Sequence, residues 1–257
     1  MNKTLFFTAL LSTPLIVGAE ENNEDVSPIT ASAELGLLYK TGNSRSADIK
    51  TGFDIEYDKD VWRSVLAFDL LSKKTETTDE NGDDSFETTD QKWTIVSKTN
   101  YTLNADSKNY IYGDIAYEDN RFSGFENQSS ISAGWGREWY KTQTSSFFAD
   151  IGPGYKRDVT RAFDGMDSET LSSFIIQAQA LYVHKFNEHV EFKQSLSAKY
   201  APKSGENSIF KAESSITTKM IDSLALKFSV IIDHNTEVEQ GIEETDTQTA
   251  ATLVYSF

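Results

Sequence analysis

TQTAATLVYSF, residues Thr247 to Phe257, closes the chain. Ala251, Leu253, Tyr255 and Phe257 recur at every second position, with Gln248, Thr252 and Ser256 between them. Only Ala250 and Val254 break the polarity of that second face. A period of two places the two sets on opposite sides of a strand, one of them apolar. The same alternation runs through Ala47, Ile49, Thr51, Phe53, Ile55 and Tyr57, opposed by Asp48, Lys50, Gly52, Asp54 and Glu56. It returns in Leu224, Leu226, Phe228, Val230 and Ile232 against Lys227, Ser229 and Asp233. Val190 to Tyr200 repeats it against Glu191, Lys193 and Lys199. None of these segments carries helical spacing.

Counting such segments between turn signals gives about twelve strands. They fall at residues 29–40, 46–57, 61–72, 90–103, 108–118 and 128–140 in the first half. The second half holds 147–157, 171–185, 190–200, 208–218, 224–234 and 245–257. Connections after even-numbered strands are tight: 58–60, 104–106, 141–145, 187–189 and 221–222. Those after odd-numbered strands are mostly longer, as in 73–89, 158–169 and 235–244, with 41–44, 119–125 and 201–206 shorter. Outer-membrane barrels sort their loops in this phase, with short periplasmic turns and long outer loops. The expected fold is therefore all-β: a transmembrane antiparallel β-barrel with both termini in the periplasm. The apolar face Leu253, Tyr255 and Phe257 resembles the terminal signal by which such barrels are recognised for assembly. Aromatic residues expected near strand ends form two girdles: Tyr39, Trp93, Tyr117, Tyr155 and Tyr200 outside, with Trp62, Tyr101, Trp139, Phe147, Tyr182, Phe192, Tyr255 and Phe257 at the periplasmic end.

Residues 1–19 read as a secretory signal peptide, with Lys3, an apolar stretch from Leu5 to Leu11, and a small-residue site at Val17, Gly18 and Ala19. A short acidic, flexible leader follows at 20–28, and the barrel occupies 29–257. Nowhere is there the run of roughly 20 apolar residues that a spanning helix requires. With a net charge of −16, the chain is unsuited to nucleic acid, whose phosphates call for a basic surface. It has no Cys, which removes disulfide and thiolate-metal chemistry.

The sequence resembles the YdiY-like domain-of-unknown-function family of salt-induced outer-membrane proteins. The resemblance rests on Glu34-Leu35-Gly36-Leu37, Thr41-Gly42-Asn43-Ser44, Phe53 to Tyr57, and Trp62-Arg63. It continues through Tyr117-Glu118-Asp119, Arg121 to Phe125, Gly134-Trp135-Gly136-Arg137 and Gly152-Pro153-Gly154-Tyr155-Lys156-Arg157. It implies an outer-membrane barrel and a link to salt or osmotic stress, and brings no ligand or reaction. Physically, Gly42-Asn43 suits a tight hairpin. Gly152 and Gly154 are expected on the lumen face, and Pro153 opposite them, where its missing donor suggests a bulge.

Registering the strands puts Glu34, Asp48, Lys50, Asp54, Glu56, Arg63, Asp69, Lys98, Asp114, Asp150, Lys193, Lys199, Lys227 and Asp233 inside. Such residues line a path for ions or small solutes, or pair into salt bridges that plug a narrow barrel. Twelve strands lie between the side-chain-filled eight and the channel-holding sixteen, so both readings stand. The first is a small porin-like channel; the alternative is a non-conducting structural or adhesive envelope barrel. Acidic loops include Asp79, Asp83 and Asp84, weak candidates for a divalent cation because the complete EF-hand spacing is missing. A barrel hydrolase is the remote third reading. Asp233 and His234 are adjacent and face opposite ways, and no G-x-S-x-G or H-E-x-x-H motif occurs, so catalysis is not expected. No cofactor is expected. The expected partners are outer-membrane lipids, lipopolysaccharide and the barrel-assembly machinery.

Overall fold

Strand alternation closes into a ring. A computed structural model describes residues 27–40, 46–78, 84–103, 108–121, 125–162, 167–238 and 244–257. The signal peptide, most of the acidic leader and the Gly42-Asn43 hairpin lie outside them. The strands are β1 (Ile29–Lys40), β2 (Ser46–Lys59), β3 (Trp62–Thr78), β4 (Asp84–Thr102), β5 (Asn109–Asn120) and β6 (Phe125–Lys141). They continue as β7 (Ser145–Thr160), β8 (Thr170–Lys185), β9 (Val190–Tyr200), β10 (Ile209–Ile221), β11 (Leu224–Asn235) and β12 (Thr245–Ser256). Each pairs antiparallel with its sequence neighbours, and β12 returns to β1, giving a closed barrel. The closing ladder runs from Ser32↔Ser256 to Leu35↔Leu253. It is extended by Phe257 N donating to Ala31 O at 3.1 Å.

The two faces differ as the period demands. Leu35, Leu37, Ile111, Ile115, Ile131, Ile151 and Phe228 stand exposed on the outside, while Ser, Asp, Glu and Lys dominate the buried inner face. Backbone pairing runs around the ring, through four residue pairs at the β1–β12 closure, and with an apolar exterior it fits the way strands cross a bilayer. Exterior aromatics meet near both rims: Trp62 with Tyr101 at 4.8 Å and Tyr140 with Phe147 at 6.1 Å on the terminal side, Trp93 with Tyr117 at 5.0 Å on the other. Ser27 and Pro28 are already engaged, Pro28 O accepting from Asp58 N at 2.8 Å.

Two local expectations are corrected. The segment 73–89 is not one long loop, because β3 and β4 continue as a hairpin to Thr78↔Asp84 after a register shift at Lys73/Lys74. Thr75, Thr77, Thr78, Thr88 and Thr89 are β-branched and favour extended backbone without any apolar alternation to reveal it. Pro153 makes no bulge: pairing between β6 and β7 keeps one register from Ser132↔Gly154 to Trp135↔Ile151, and the shifts lie at Phe125/Asn127 and Glu138/Tyr140. At this point the strands touch backbone to backbone, for a Cβ on Gly134 would overlap Ile151 O and the Gly152 Cα. Glycine on both strands provides the close approach.

Candidate functional site: the charged lumen

All fourteen lumen candidates sit on inner-face positions of their strands, and they sort into layers. At the terminal end, Arg63 donates to Asp58 Oδ2 from Nε at 2.8 Å and Nη2 at 2.7 Å, with Glu56 3.7 Å away. Above it, Lys98 on β4 reaches Asp150 on β7 at 2.7 Å and Gln179 on β8 at 2.5 Å. Tyr110 donates its hydroxyl to the same Asp150 oxygen at 3.0 Å. The Tyr110 ring passes over Gly136, its cross-strand partner, where a Cβ would overlap the ring. Lys98 also lies 4.8 Å from the centre of the Tyr112 ring. Tyr110, Tyr112, Phe148, Leu181 and Val183 form a buried apolar cluster around this layer.

In the middle, Gln177 on β8 donates to Asp114 on β5 at 3.0 Å. Lys227, 1% exposed, donates to Glu34 at 2.9 Å and lies 3.7 Å from Glu213. Buried Asp54, Glu191 and Lys193 face the same space. Toward the loop end, Lys156 pairs with Asp158, and Lys92 bridges Glu118 at 2.9 Å and Asp233 at 3.5 Å. Lys211 approaches Asp233 at 3.7 Å. Lys92 and Asp233 lie on β4 and β11, five strands apart by the shorter way around the ring, so these side chains cross the interior. A 670 Å³ cavity, lined in part by Asp48, Lys50, Lys92 and Asp233, opens toward the loop end. A 150 Å³ cavity with Arg63 and Lys108 lies at the terminal end. The Lys98 layer stands between them.

Sequence reasoning missed Lys92, Tyr110, Tyr112, Asp158, Gln177 and Gln179 as inner-face residues. The polar ones were available from strand parity, since Lys92 shares it with Lys98, and Gln177 alternates with Ile176 and Ala178. The apolar cluster was hidden, because Phe148, Leu181 and Val183 lie on the face that the alternation assigns to polar residues.

Leu253, Tyr255 and Phe257 point outward and are exposed. Arg137, also outward, lies 5.8 Å from the Trp139 ring. Asp79 and Asp83 lie outside the described residues, and of Asp84 only the backbone pairing with Thr78 is described. Among the described residues no group of three or more His, Asp or Glu is placed to hold a metal ion. One serine–histidine pair does form, Ser145 Oγ with His184 Nδ1 at 2.7 Å. It sits on the outer face near the terminal rim, with His184 against Tyr182 and Phe186. A hydrolytic serine needs a base that a third group orients. Here the nitrogen that such a group holds in a catalytic triad is the one facing Ser145.

The profile of a family described as "Protein of unknown function, DUF481" matches residues 33–257. A relative from Escherichia coli (strain K12), "Uncharacterized protein YdiY", is 22% identical over 230 residues, covering 89% of this chain and 83% of its own. Among solved structures, the translocator domain of autotransporter NalP from Neisseria meningitidis matches 89% of this chain and 87% of its own, at TM-score 0.48 and 10% identity. The NanC porin matches 88% and 98%, at 0.46 and 9%. The KdgM porin matches 88% and 99%, at 0.43 and 12%.

Proposed function

Since the chain belongs to the DUF481 family, whose description assigns no activity, we propose from its own lumen that it is an outer-membrane barrel holding a narrow path for small ions. The carrying observation is the chemistry of the inner face. Buried oxygens of Ser32, Asp54, Ser130, Asp114 and Glu191, and the Lys193 Nζ, have no hydrogen-bond partner among the described residues. Buried polar groups are almost always satisfied, so these atoms call for water inside the barrel. Water beside fixed charges of both signs is the setting in which small ions move.

In this reading the layer of Lys98, Asp150, Gln179 and Tyr110, with its apolar collar, is what narrows the path. Opening requires those contacts to part. The half-buried outer edge of the network, Lys92 with Glu118 and Asp233, lies on the side open to the loop-end solution, where salt screening gives a link to ionic conditions its physical form. In this reading the chain is exported through the periplasm, its termini stay there, and its outer band meets membrane lipid and lipopolysaccharide. The β-barrel assembly machinery would receive the Leu253, Tyr255 and Phe257 face. Acidic residues at the loop-end mouth enrich cations.

The test is single-channel recording of the refolded protein in a planar bilayer. We expect rare small openings in wild type, more frequent openings at higher salt, and larger steps in Lys98→Ala. The contacts that cross the lumen also favour the rival, a non-conducting structural barrel. Silence of both wild type and Lys98→Ala at every voltage and salt concentration would select that rival.

A further inference from the structure

The wall is not uniformly closed. β1 stays paired with β2 up to Lys40↔Ser46, and β12 stays paired with β11 down to His234↔Thr245. Between β1 and β12, however, the strand ladder ends at Leu35↔Leu253. A Cβ on Gly36 would still lie 2.8 Å from Thr252 Cγ2, so the strands are in touch there, with no ladder pair between described residues beyond it.

The 670 Å³ cavity occupies this seam. Its lining combines Asp48, Lys50 and Lys92, which face the lumen, with Leu37, Phe228 and Ala251, which face outward. Leu37 is 68% exposed and Phe228 54%. The cavity also takes in every residue of β12 from Thr247 to Thr252, so the edge of that strand left without a ladder partner borders it. Its size is within the roughly 300–1,000 Å³ of small-molecule sites.

Hydrocarbon alone cannot fill such a gap, because strand edges without ladder partners present backbone donors and acceptors that lipid tails do not satisfy. The occupant needs a polar part. Asp48 Oδ1 is buried with no hydrogen-bond partner among the described residues and calls for a donor. Lys50 and Lys73 line the same cavity and offer positive charge, Lys50 in the field of Asp69 and Lys73 in that of Asp90. The outward end is apolar. We propose that the β1–β12 seam is a lateral port through which a single-chain zwitterionic amphiphile enters the outer half of the lumen from the bilayer. Its ammonium meets Asp48, its phosphate meets Lys50 and Lys73, and its chain leaves past Leu37 and Phe228. This port opens sideways, whereas the proposed ion path runs along the axis.

The absence of native cysteine makes a staple clean. Leu37→Cys with Ala251→Cys continues the closing register by one same-face step, and Leu35→Cys with Leu253→Cys staples the part already paired. The probe is a lysophosphatidylethanolamine fluorescent at its chain end, titrated onto the full barrel in lipid nanodiscs. Wild type should bind saturably. The oxidised 37/251 staple should weaken binding at least about tenfold, or about 1.4 kcal/mol. Reduction should restore it, and the 35/253 staple should leave it unchanged. Asp48→Asn and Lys50→Gln, both unstapled, should each weaken it about fivefold, or about 1 kcal/mol. The proposal is overturned if wild type shows no saturable binding, if the oxidised 37/251 barrel binds like its reduced form, or if both single variants bind as wild type.

Discussion

Replacing Lys227 by methionine tests how dry the lumen is. The ammonium is 1% exposed, 2.9 Å from Glu34 and 3.7 Å from Glu213. At the shorter distance the attraction to one carboxylate is about 6 kcal/mol for an effective dielectric of about 20, and about 1.4 kcal/mol in bulk water. Desolvation offsets much of the first value. Breaking a buried pair nevertheless costs about 3–5 kcal/mol, because the remaining charge is left without compensation. Lys227→Met leaves two carboxylates facing one another, so we expect a loss of about 3 kcal/mol. Adding Glu34→Gln should recover part of that loss by removing one of the stranded charges. The assay is urea unfolding of the barrel in lipid vesicles, followed by fluorescence of the native Trp residues. A loss under about 1 kcal/mol would refute the buried network, since only bulk-like water screens the pair so far. A double variant no more stable than Lys227→Met would refute the assignment to stranded charge.

Gly136→Ala should displace the Tyr110 ring and its hydrogen bond to Asp150, costing about 1–3 kcal/mol in the same unfolding assay; a change below about 0.5 kcal/mol would mean the ring is free to move. Deleting Phe257 removes both backbone bonds to Ala31 and the last apolar position, so heat-modifiable folded barrel in the outer membrane should fall several-fold. Unchanged assembly would remove that residue from the signal. In the loop between β9 and β10, Glu206 accepts from Lys203 at 3.0 Å, which with a bond from Ser173 holds its carboxyl below its ordinary value of 4.5. A depressed folded value stabilises the loop above the unfolded value and loses that contribution as pH falls through the folded one. Amide exchange in residues 201–208 should therefore quicken below about pH 4.5 beyond the intrinsic rate, and Glu206→Gln should abolish the step. A wild-type loop whose protection is flat across that range would contradict the contact.

Strand identity was readable wherever one face was apolar. Ala47 to Tyr57 and Val190 to Tyr200 alternate so regularly that the inward charges follow from counting by two. The family was readable too, from the glycine- and aromatic-centred motifs that carry the resemblance. Reading failed where alternation fades. The threonine-rich ends of β3 and β4 carry no apolar stripe, and β8 is apolar on both faces, with Ile175, Leu181 and Val183 turned inward. Pro153 misled for another reason. A lost donor need not be absorbed by an extra residue when glycines let two backbones meet directly.

The sequence by itself determined that this chain makes a barrel of about twelve strands and, where alternation is regular, which charged side chains turn inward, because side-chain direction in a strand is local and repeats every two residues. Tertiary structure alone decided which charges meet. Lys227 and Glu34 are separated by 193 positions, and Lys92 and Asp233 by 141. Their contacts depend on how the ring closes and how far each strand is staggered against the next. That same closure decided where the wall stops pairing, for the seam lies between the first strand and the last, which no local pattern relates.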